Sequence, residues 1–179
     1  MALGDSKTWL EGWQPTLLSG LVAAGTNYRK TASSGVNGAT VASYAADIAA
    51  NLSGINPDVP VPAVLINLGV NEIGAPPASA TWRANYQTII DAVHAKWAIA
   101  VIYIAYPWRQ GFDANAAVLH GYIDQLLTDN VGLCVAGPDE VAVIQPPDDG
   151  ATNTTDGIHY SAAGNVAWAS AWETTLLGT

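Results

Sequence analysis

The chain has 179 residues, a length that suits one domain with one sizeable core. Half of its residues are hydrophobic and only 12% are charged, which excludes a disordered chain. Fifteen acidic residues against six Lys and Arg give a formal net charge of −9. That charge argues against nucleic acid or an anionic membrane surface as a partner.

Strand-like and helical segments alternate along the sequence. Strands are predicted at Ala2-Leu3, weakly at Asn27 to Lys30, and at Ala63 to Leu68, Ala98 to Tyr106 and Val131 to Ala136. Helices are predicted from Pro15 to Gly25, Val41 to Leu52, Ser79 to Trp97, Asn115 to Thr128 and Ser161 to Leu177. Ser79 and Ser161 are the expected N-cap residues of the helices that they begin.

Apolar strands that alternate with helices indicate a parallel sheet covered on both faces. We therefore predict an α/β fold, a three-layer α/β/α sandwich with five strands in the flavodoxin-like order 2-1-3-4-5. Only Met1, Ala2 and Leu3 precede Gly4, although a buried strand usually takes about five residues. Two explanations fit: residues 1–179 are one domain with a short first strand, or that domain was excised from a longer protein.

The single cysteine, Cys134, excludes an intramolecular disulfide, and no Cys/His cluster has zinc spacing. It lies in an apolar stretch, so we expect a small core residue rather than a catalytic thiol. We expect no metal and no cofactor. The longest apolar run, 97–106, is too short to cross a bilayer, and no secretion signal is visible. Neither compartment nor oligomeric state follows from the sequence.

Four residues with reactive or hydrogen-bonding groups fall near the ends of predicted strands. Ser6 follows the first strand, Gly38 lies in the loop after the second, Asn71 follows the third, and His159 lies before the last helix. Ligands of open α/β sheets bind beyond the carboxyl ends of the strands. All four residues therefore map to one rim of the predicted sheet.

A serine hydroxyl becomes a good nucleophile when a positioned imidazole can take its proton. Ser6 is the candidate nucleophile and His159 the candidate general base, while Asp156 is close enough along a turn to hold the imidazole. Plainer interpretations are a turn serine, a hydrogen-bonded loop histidine and a turn aspartate before Gly157. His94 falls within a helical segment, as does His120, and both are interpreted as structural or surface residues.

Acyl transfer also needs donors for the developing oxyanion. Three are available in principle: the backbone N–H groups of Ser6 and Gly38 and the side-chain amide of Asn71. Asn37-Gly38 is also a favourable turn dipeptide without any chemistry.

Four short strings resemble sequence blocks of the SGNH, or GDSL-type, serine hydrolases. Gly4-Asp5-Ser6 resembles the first block, Gly35 to Thr40 the second, Leu68 to Glu72 the third and Asp156 to His159 the fifth. The resemblance implies a three-layer α/β/α fold, with Ser6 as nucleophile, Gly38 and Asn71 as oxyanion donors, and Asp156 and His159 completing a triad. Glu72 is a departure, because the family usually has Asp there. No Gly-x-Ser-x-Gly string occurs, which disfavours the α/β-hydrolase fold.

Candidate substrate contacts are aromatic and basic residues near the predicted rim: Trp9, Trp108, Arg109 and Phe112. Aromatic residues at such positions are more often ordinary loop anchors. Four further tryptophans, Trp82, Trp97, Trp168 and Trp172, fall within predicted helices and are better explained as core residues. Short connections leave little chain for a lid, which favours small acyl groups.

The sequence thus predicts a carboxylic-ester hydrolase that works through an acyl-Ser6 intermediate on a small-molecule or carbohydrate ester. By family likeness, the favoured substrate is an acetylated carbohydrate. One alternative is a lysophospholipase or thioesterase of the same family. Another is a non-catalytic carbohydrate-binding module, although the complete set of five site residues argues against it.

Overall fold

A five-stranded sheet organises the molecule, and the computed structural model describes residues 1–30 and 32–178. The strands are β1 (Ala2–Gly4), β2 (Ser33–Gly35), β3 (Ala63–Asn67), β4 (Val101–Tyr106) and β5 (Cys134–Asp139). They lie in the order β2-β1-β3-β4-β5, and every neighbouring pair is parallel. The predicted sheet and its strand order are confirmed.

Helices cover both faces of this sheet and complete the predicted three-layer sandwich. They are α1 (Ser6–Trp9), α2 (Gln14–Ala23), α3 (Val41–Ala46), α4 (Ile48–Ser53), α5 (Ser79–Lys96), α6 (Asp113–Asp129), α7 (Glu140–Val143) and α8 (Ala162–Leu177), with a 3₁₀ turn at Val70–Glu72. α2 packs against α8, whereas α3 and α6 both pack against α5. No helix within the described ranges is both long and apolar enough to cross a membrane.

The first strand is short but central. β1 pairs with β2 on one side and β3 on the other, and the Met1 carbonyl accepts the Leu65 N–H at 2.8 Å. Gly4 fits where this strand ends, because a Cβ there would lie 2.2 Å from Thr8 Oγ1 and 2.4 Å from the Asn67 carbonyl oxygen. The strand that leads to Ser6 is therefore held on both sides, and its last residue has no room for a side chain.

The predicted position of the second strand is wrong. Residues 27–30 form no regular structure, and β2 follows at Ser33–Gly35. This edge strand has small, half-buried residues and therefore lacks the apolar alternation by which strands are found in sequences. The predicted helix at 41–52 is also divided in two: Asp47 is both the C-cap of α3 and the N-cap of α4.

One of the two predicted N-caps is confirmed. Ser161 accepts the Gly164 N–H at 3.1 Å and caps α8. Ser79 is instead the first helical residue of α5, where Ala78 holds the cap position and the Ser79 hydroxyl accepts a hydrogen bond from Arg83 Nε at 3.2 Å. The four-residue helices α1 and α7 were not predicted, since one turn is too short to show helical periodicity.

The core contains the residues that the sequence assigned to it. The four tryptophans of the predicted helices, Trp82, Trp97, Trp168 and Trp172, are all buried, and so is Cys134. Burial raises the pKa of the Cys134 thiol to about 12, so it carries no thiolate at neutral pH. In residues 1–30 and 32–178, no three or more His, Cys, Asp or Glu side chains form a group that could hold a metal ion.

Candidate active site

A hydroxyl, an imidazole and a carboxylate form a continuous hydrogen-bonded chain. Ser6 Oγ lies 3.0 Å from His159 Nε2, and His159 Nδ1 lies 2.8 Å from Asp156 Oδ2. An ionised carboxylate can only accept, so Nδ1 carries the proton of the neutral ring and Nε2 accepts from the hydroxyl. The fold thus joins Ser6 to His159 across 153 positions of sequence.

Ser6 owes its position to the end of β1. The chain turns there into α1, whose N-cap Asp5 accepts the Lys7 N–H at 3.1 Å. Ser6 is the first residue of this helix and is only 3% exposed. Backbone N–H groups in the first turn of a helix have no intrahelical acceptor, so the Ser6 N–H is available to another group.

His159 is held by local bonds within its own loop. Asp156 Oδ1 accepts the N–H groups of Ile158 at 3.0 Å and His159 at 2.8 Å, while its other oxygen faces the imidazole. Gly157 permits the tight turn with a φ of +80°. Its N–H donates to Thr154 Oγ1 at 3.1 Å. One carboxylate therefore fixes both the backbone and the ring of His159.

The same contacts keep Asp156 ionised. Desolvation raises its pKa, but the hydrogen bonds from the His159 backbone and ring and from the Ile158 N–H outweigh this effect and lower the pKa to about 2. The carboxylate therefore stays charged through the pH range in which an imidazole normally gains its proton.

The two further candidate donors lie in adjoining loops. Asn71 Nδ2 donates to the Ala39 carbonyl at 2.8 Å, next to Gly38 in sequence. A side-chain amide has two N–H donors, so this bond leaves one for a ligand. Gly38 has a φ of +72°, and a Cβ there would meet nothing within 4 Å. This left-handed backbone conformation favours glycine, and the space above Gly38 is open.

Glu72, the departure from the family pattern, supports this arrangement. Its Oε1 accepts the Val41 N–H at the start of α3, which follows the Gly38 loop. Burial raises the pKa of the Glu72 carboxyl, although the Val41 bond acts in the opposite direction. The longer side chain therefore ties the Asn71 turn to the segment that carries Gly38.

The four candidate substrate contacts differ in how far they are exposed. Trp9 is 54% exposed, three residues after Ser6. Arg109 and Phe112 are half-buried, with the guanidinium carbon 4.8 Å from the phenyl centroid. The Gln110 N–H donates to the Gly157 carbonyl at 3.0 Å, which places this loop beside the His159 loop.

The prediction that Trp108 lines the pocket is wrong. This side chain is 1% exposed, and its indole N–H donates to Asp113 Oδ1 at 2.6 Å. Burial of a large aromatic side chain is favourable, and the bond to Asp113 also satisfies the N–H of this indole.

A cavity of about 430 Å³ opens at the opposite end of the sheet. Its walls include Met1, which precedes β1, and Ala63, the first residue of β3. Ser6 and Asn71 instead follow the carboxyl ends of these two strands. None of the candidate site residues lines this cavity, so the Ser6 rim and the cavity are distinct surfaces.

A buried polar cluster behind Ser6 was missed in the sequence. Lys7 Nζ lies 2.6 Å from Glu140 Oε2 and 3.0 Å from the Trp108 carbonyl oxygen. The Tyr160 hydroxyl donates to the other oxygen of Glu140. The only sequence signals were a lysine directly after the candidate nucleophile and a tyrosine directly after the candidate base.

Sequence comparison agrees with the fold and the site geometry. The sequence model of the GDSL-like lipase/acylhydrolase family matches residues 2–167, and the chain belongs to this family. The protein is therefore a hydrolase of the GDSL, or SGNH, type. No curated protein is similar enough in sequence to match the chain.

Solved structures resemble the fold over almost the whole chain. A family 3 carbohydrate esterase from Clostridium thermocellum is 22% identical, with a TM-score of 0.69 over 99% of this chain and 94% of its own. A family 3 carbohydrate esterase from Talaromyces cellulolyticus is 17% identical, with a TM-score of 0.75 over 99% and 95%. TesA is 19% identical, with a TM-score of 0.74 over 98% and 96%. At these identities the likeness establishes the fold.

Proposed function

We propose that the protein is a serine esterase that hydrolyses carboxylic esters of small acyl groups through an acyl-Ser6 intermediate. Its proposed substrate is an acetylated carbohydrate. The observation that carries this proposal is the chain from Ser6 Oγ to His159 Nε2, at 3.0 Å, and from His159 Nδ1 to Asp156, at 2.8 Å. This geometry is within the reach that a nucleophile and its general base require.

In the acylation step, Ser6 Oγ attacks the ester carbonyl carbon while its proton passes to His159 Nε2. Asp156 remains ionised and stabilises the imidazolium that forms. The carbonyl oxygen becomes an oxyanion facing three proposed donors: the N–H groups of Ser6 and Gly38 and the free N–H of the Asn71 amide. When the tetrahedral intermediate collapses, the C–O bond to the alcohol breaks and His159 returns the proton to the leaving oxygen.

Deacylation repeats the sequence with water as the nucleophile. His159 Nε2 removes a proton from water as the water oxygen attacks the acyl carbon. The second tetrahedral intermediate releases the carboxylic acid, and the proton on His159 returns to Ser6 Oγ. No group other than Ser6, His159, Asp156 and the oxyanion donors is needed to balance these steps.

The surroundings of Ser6 support a small acyl group and a carbohydrate leaving group. The 430 Å³ apolar cavity, which is large enough for a long acyl chain, lies at the other end of the sheet. Trp9 is exposed three residues after Ser6, and an aromatic face can pack against a sugar ring. Solved structures with this fold include the two carbohydrate esterases and an acetyl xylan esterase.

A specific observation favours the second candidate, a lysophospholipase or thioesterase. Leu10 is 54% exposed and Val36 is 37% exposed, and both lie close to Trp9. Their proximity follows from Gly35, where a Cβ would lie 2.2 Å from the Trp9 nitrogen. These three exposed apolar residues therefore lie on neighbouring segments, where an acyl chain could pack.

A rate profile over p-nitrophenyl esters of increasing acyl length separates the two candidates. We expect kcat/KM to be highest for acetate and to fall with longer chains, and we expect acetate release from acetylated xylan. The Ser6→Ala variant serves as the control for non-enzymatic hydrolysis. A kcat/KM that rises steadily with acyl length, without acetate release from xylan, would reject the acetylesterase proposal in favour of the second candidate.

A further inference from the structure

The residues that follow Ser6 and His159 are bonded to the same carboxylate. Lys7 is adjacent to Ser6, Tyr160 is adjacent to His159, and Glu140 accepts a hydrogen bond from each side chain. These contacts span 133 positions on the lysine side and 20 on the tyrosine side. Glu140 thereby connects the segment of the proposed nucleophile with the segment of the proposed base.

The lysine side of this connection is fully buried. The Lys7 and Glu140 side chains are 1% and 0% exposed, and their charged atoms lie 2.6 Å apart. Lys7 Nζ also donates to the Trp108 carbonyl at 3.0 Å and lies 5.1 Å from the centroid of the Tyr160 ring. The ammonium therefore has an ionic, a carbonyl and an aromatic partner, which together define the position of the α1 backbone just after Ser6.

The tyrosine side is equally constrained. The Tyr160 hydroxyl donates to Glu140 Oε1 and accepts a hydrogen bond from Asn67 Nδ2 at 3.3 Å. Burial and the neighbouring Glu140 charge raise the pKa of this phenol well above its ordinary value, so it remains a donor. Asn67 is the last residue of β3, and its carbonyl accepts the Asp5 N–H at 3.2 Å. Tyr160 is thus tied to the same strand end as the residue before Ser6.

The cost of burying these charges suggests a role beyond general stability. Glu140 accepts a third bond, from the Trp108 N–H at 2.7 Å, so its buried charge is well satisfied. A buried ion pair can often be replaced by apolar side chains without loss of stability, whereas removal of one partner is strongly destabilising. What apolar packing would not reproduce is the direction of three hydrogen bonds that converge on one carboxylate.

We propose that Glu140 is a positioning residue that sets the separation of Ser6 Oγ and His159 Nε2 by holding Lys7 and Tyr160 on one carboxylate. This inference rests on the proposed function. It identifies Lys7, Tyr160 and Glu140 as one unit, whereas Asp156 fixes His159 only relative to its own loop. Without the Glu140 connection, the turn around His159 would be intact but would lose its link to the buried Lys7 next to Ser6.

The Tyr160→Phe variant tests the connection while leaving the Lys7–Glu140 ion pair in place. We expect kcat for p-nitrophenyl acetate to fall by roughly tenfold to a hundredfold, because small displacements of reacting groups have effects of this size. KM should change little, since neither residue contacts the proposed substrate site. Phosphonylation of Ser6 by an organophosphonate should slow by a similar factor.

Tyr106→Phe provides a matched control. The Tyr106 hydroxyl also donates to a carboxylate, Asp124 Oδ1 at 2.7 Å, but neither partner is one of the residues bonded to Glu140. We expect this control to retain the wild-type kcat and phosphonylation rate. The melting temperature of each variant, measured in parallel, corrects for any loss of folded protein.

Glu140→Gln tests both sides at once and leaves Lys7 without an anionic partner. We expect at least the loss seen for Tyr160→Phe, together with a broadened proton resonance of His159 Nδ1–H. If this variant does not fold, Tyr160→Phe decides alone. Wild-type kcat and phosphonylation rates in folded Tyr160→Phe would overturn the inference. Full activity in Ser6→Ala would instead reject the proposed function, so the two failures are distinguishable.

Discussion

The two sides of the candidate site are built differently. Ser6 belongs to the core: Asp5, Ser6, Lys7 and Thr8 are all buried behind a central strand. The His159 side belongs to a surface turn, where the His159 and Asp156 side chains are 32% and 52% exposed. Long-range packing positions the first side, whereas hydrogen bonds over three residues orient the His159 ring within its own turn. Substitutions on the two sides should therefore differ in how much stability they remove along with activity.

The largest expected effect is the loss of activity on removal of either proposed reacting group. Ser6→Ala and His159→Ala should each lower kcat by roughly 10⁴-fold or more, because the proposed mechanism uses the hydroxyl and the imidazole as one unit. His159→Ala should lower the melting temperature only slightly, since about a third of this side chain is exposed and its bonds lie within a surface turn. Steady-state hydrolysis of p-nitrophenyl acetate, followed beside thermal unfolding, measures both.

His94→Ala is the control for this pair, because His94 is an exposed histidine on α5, away from the site. It should keep full activity. Substantial turnover in purified, folded His159→Ala would show that the imidazole is not the general base.

The next largest effect concerns the proposed oxyanion donor. Asn71→Ala should lower kcat by about 10²–10³-fold, with a smaller effect on KM, because the lost N–H acts mainly on the developing charge. The substitution also removes the bond to the Ala39 carbonyl, so thermal unfolding must be measured as well. An unchanged kcat would exclude the Asn71 amide as a donor.

The pH dependence of activity sharpens the description of the His159 side. Protonation of His159 removes the acceptor for the Ser6 proton, so kcat/KM should fall about tenfold per pH unit on the acid side. Because the pKa of Asp156 is lowered to about 2, this carboxylate should remain ionised throughout the decline. A limb with a slope of two, or one that begins only near pH 2, would contradict this assignment.

A smaller effect is expected on the Ser6 side, where the buried Asp5 should make the free energy of unfolding depend on pH. Burial raises the pKa of Asp5 to about 7, whereas an unfolded chain should release this proton near pH 4. Between these values the folded state binds more protons, so its stability should decline as pH rises from about 4 to 7. Asp5→Asn, which keeps an oxygen for the Lys7 N–H, should lack this contribution.

Urea unfolding of the wild type and Asp5→Asn at several pH values measures that contribution as the difference between two free energies of unfolding. The wild type should lose stability relative to the variant across the stated window. Parallel curves from pH 4 to 8 would show that the Asp5 carboxyl does not titrate with a raised pKa in the fold.

The parts of the molecule that could be predicted from the sequence are those encoded over short distances. β3 and β4 are continuous apolar runs, and the strings around Ser6 and His159 contain their own turns. The position of β2 could not be predicted, because Ser33–Gly35 is an edge strand of small residues. It is defined by its pairing with β1 rather than by a hydrophobic pattern. Position alone suggested a rim location for Trp108, whereas its packing and its bond to Asp113 place it inside.

The Lys7–Glu140–Tyr160 cluster marks the limit of reasoning from sequence. Lys7 is two residues from Asp5 but pairs with a carboxylate 133 positions away. Nothing in the local pattern distinguishes Glu140 from the other acidic residues. Only the three-dimensional structure shows that one buried side chain is bonded to the residues beside both Ser6 and His159.

The most direct test of the central claim is to map the site of covalent labelling by an organophosphonate. The account predicts one adduct on Ser6 in the wild type, identified by mass spectrometry of the digested protein, and a strongly reduced labelling rate in His159→Ala. Folded wild-type protein that stays unlabelled would favour a non-catalytic carbohydrate-binding module, and an adduct on another residue would contradict Ser6 as the nucleophile.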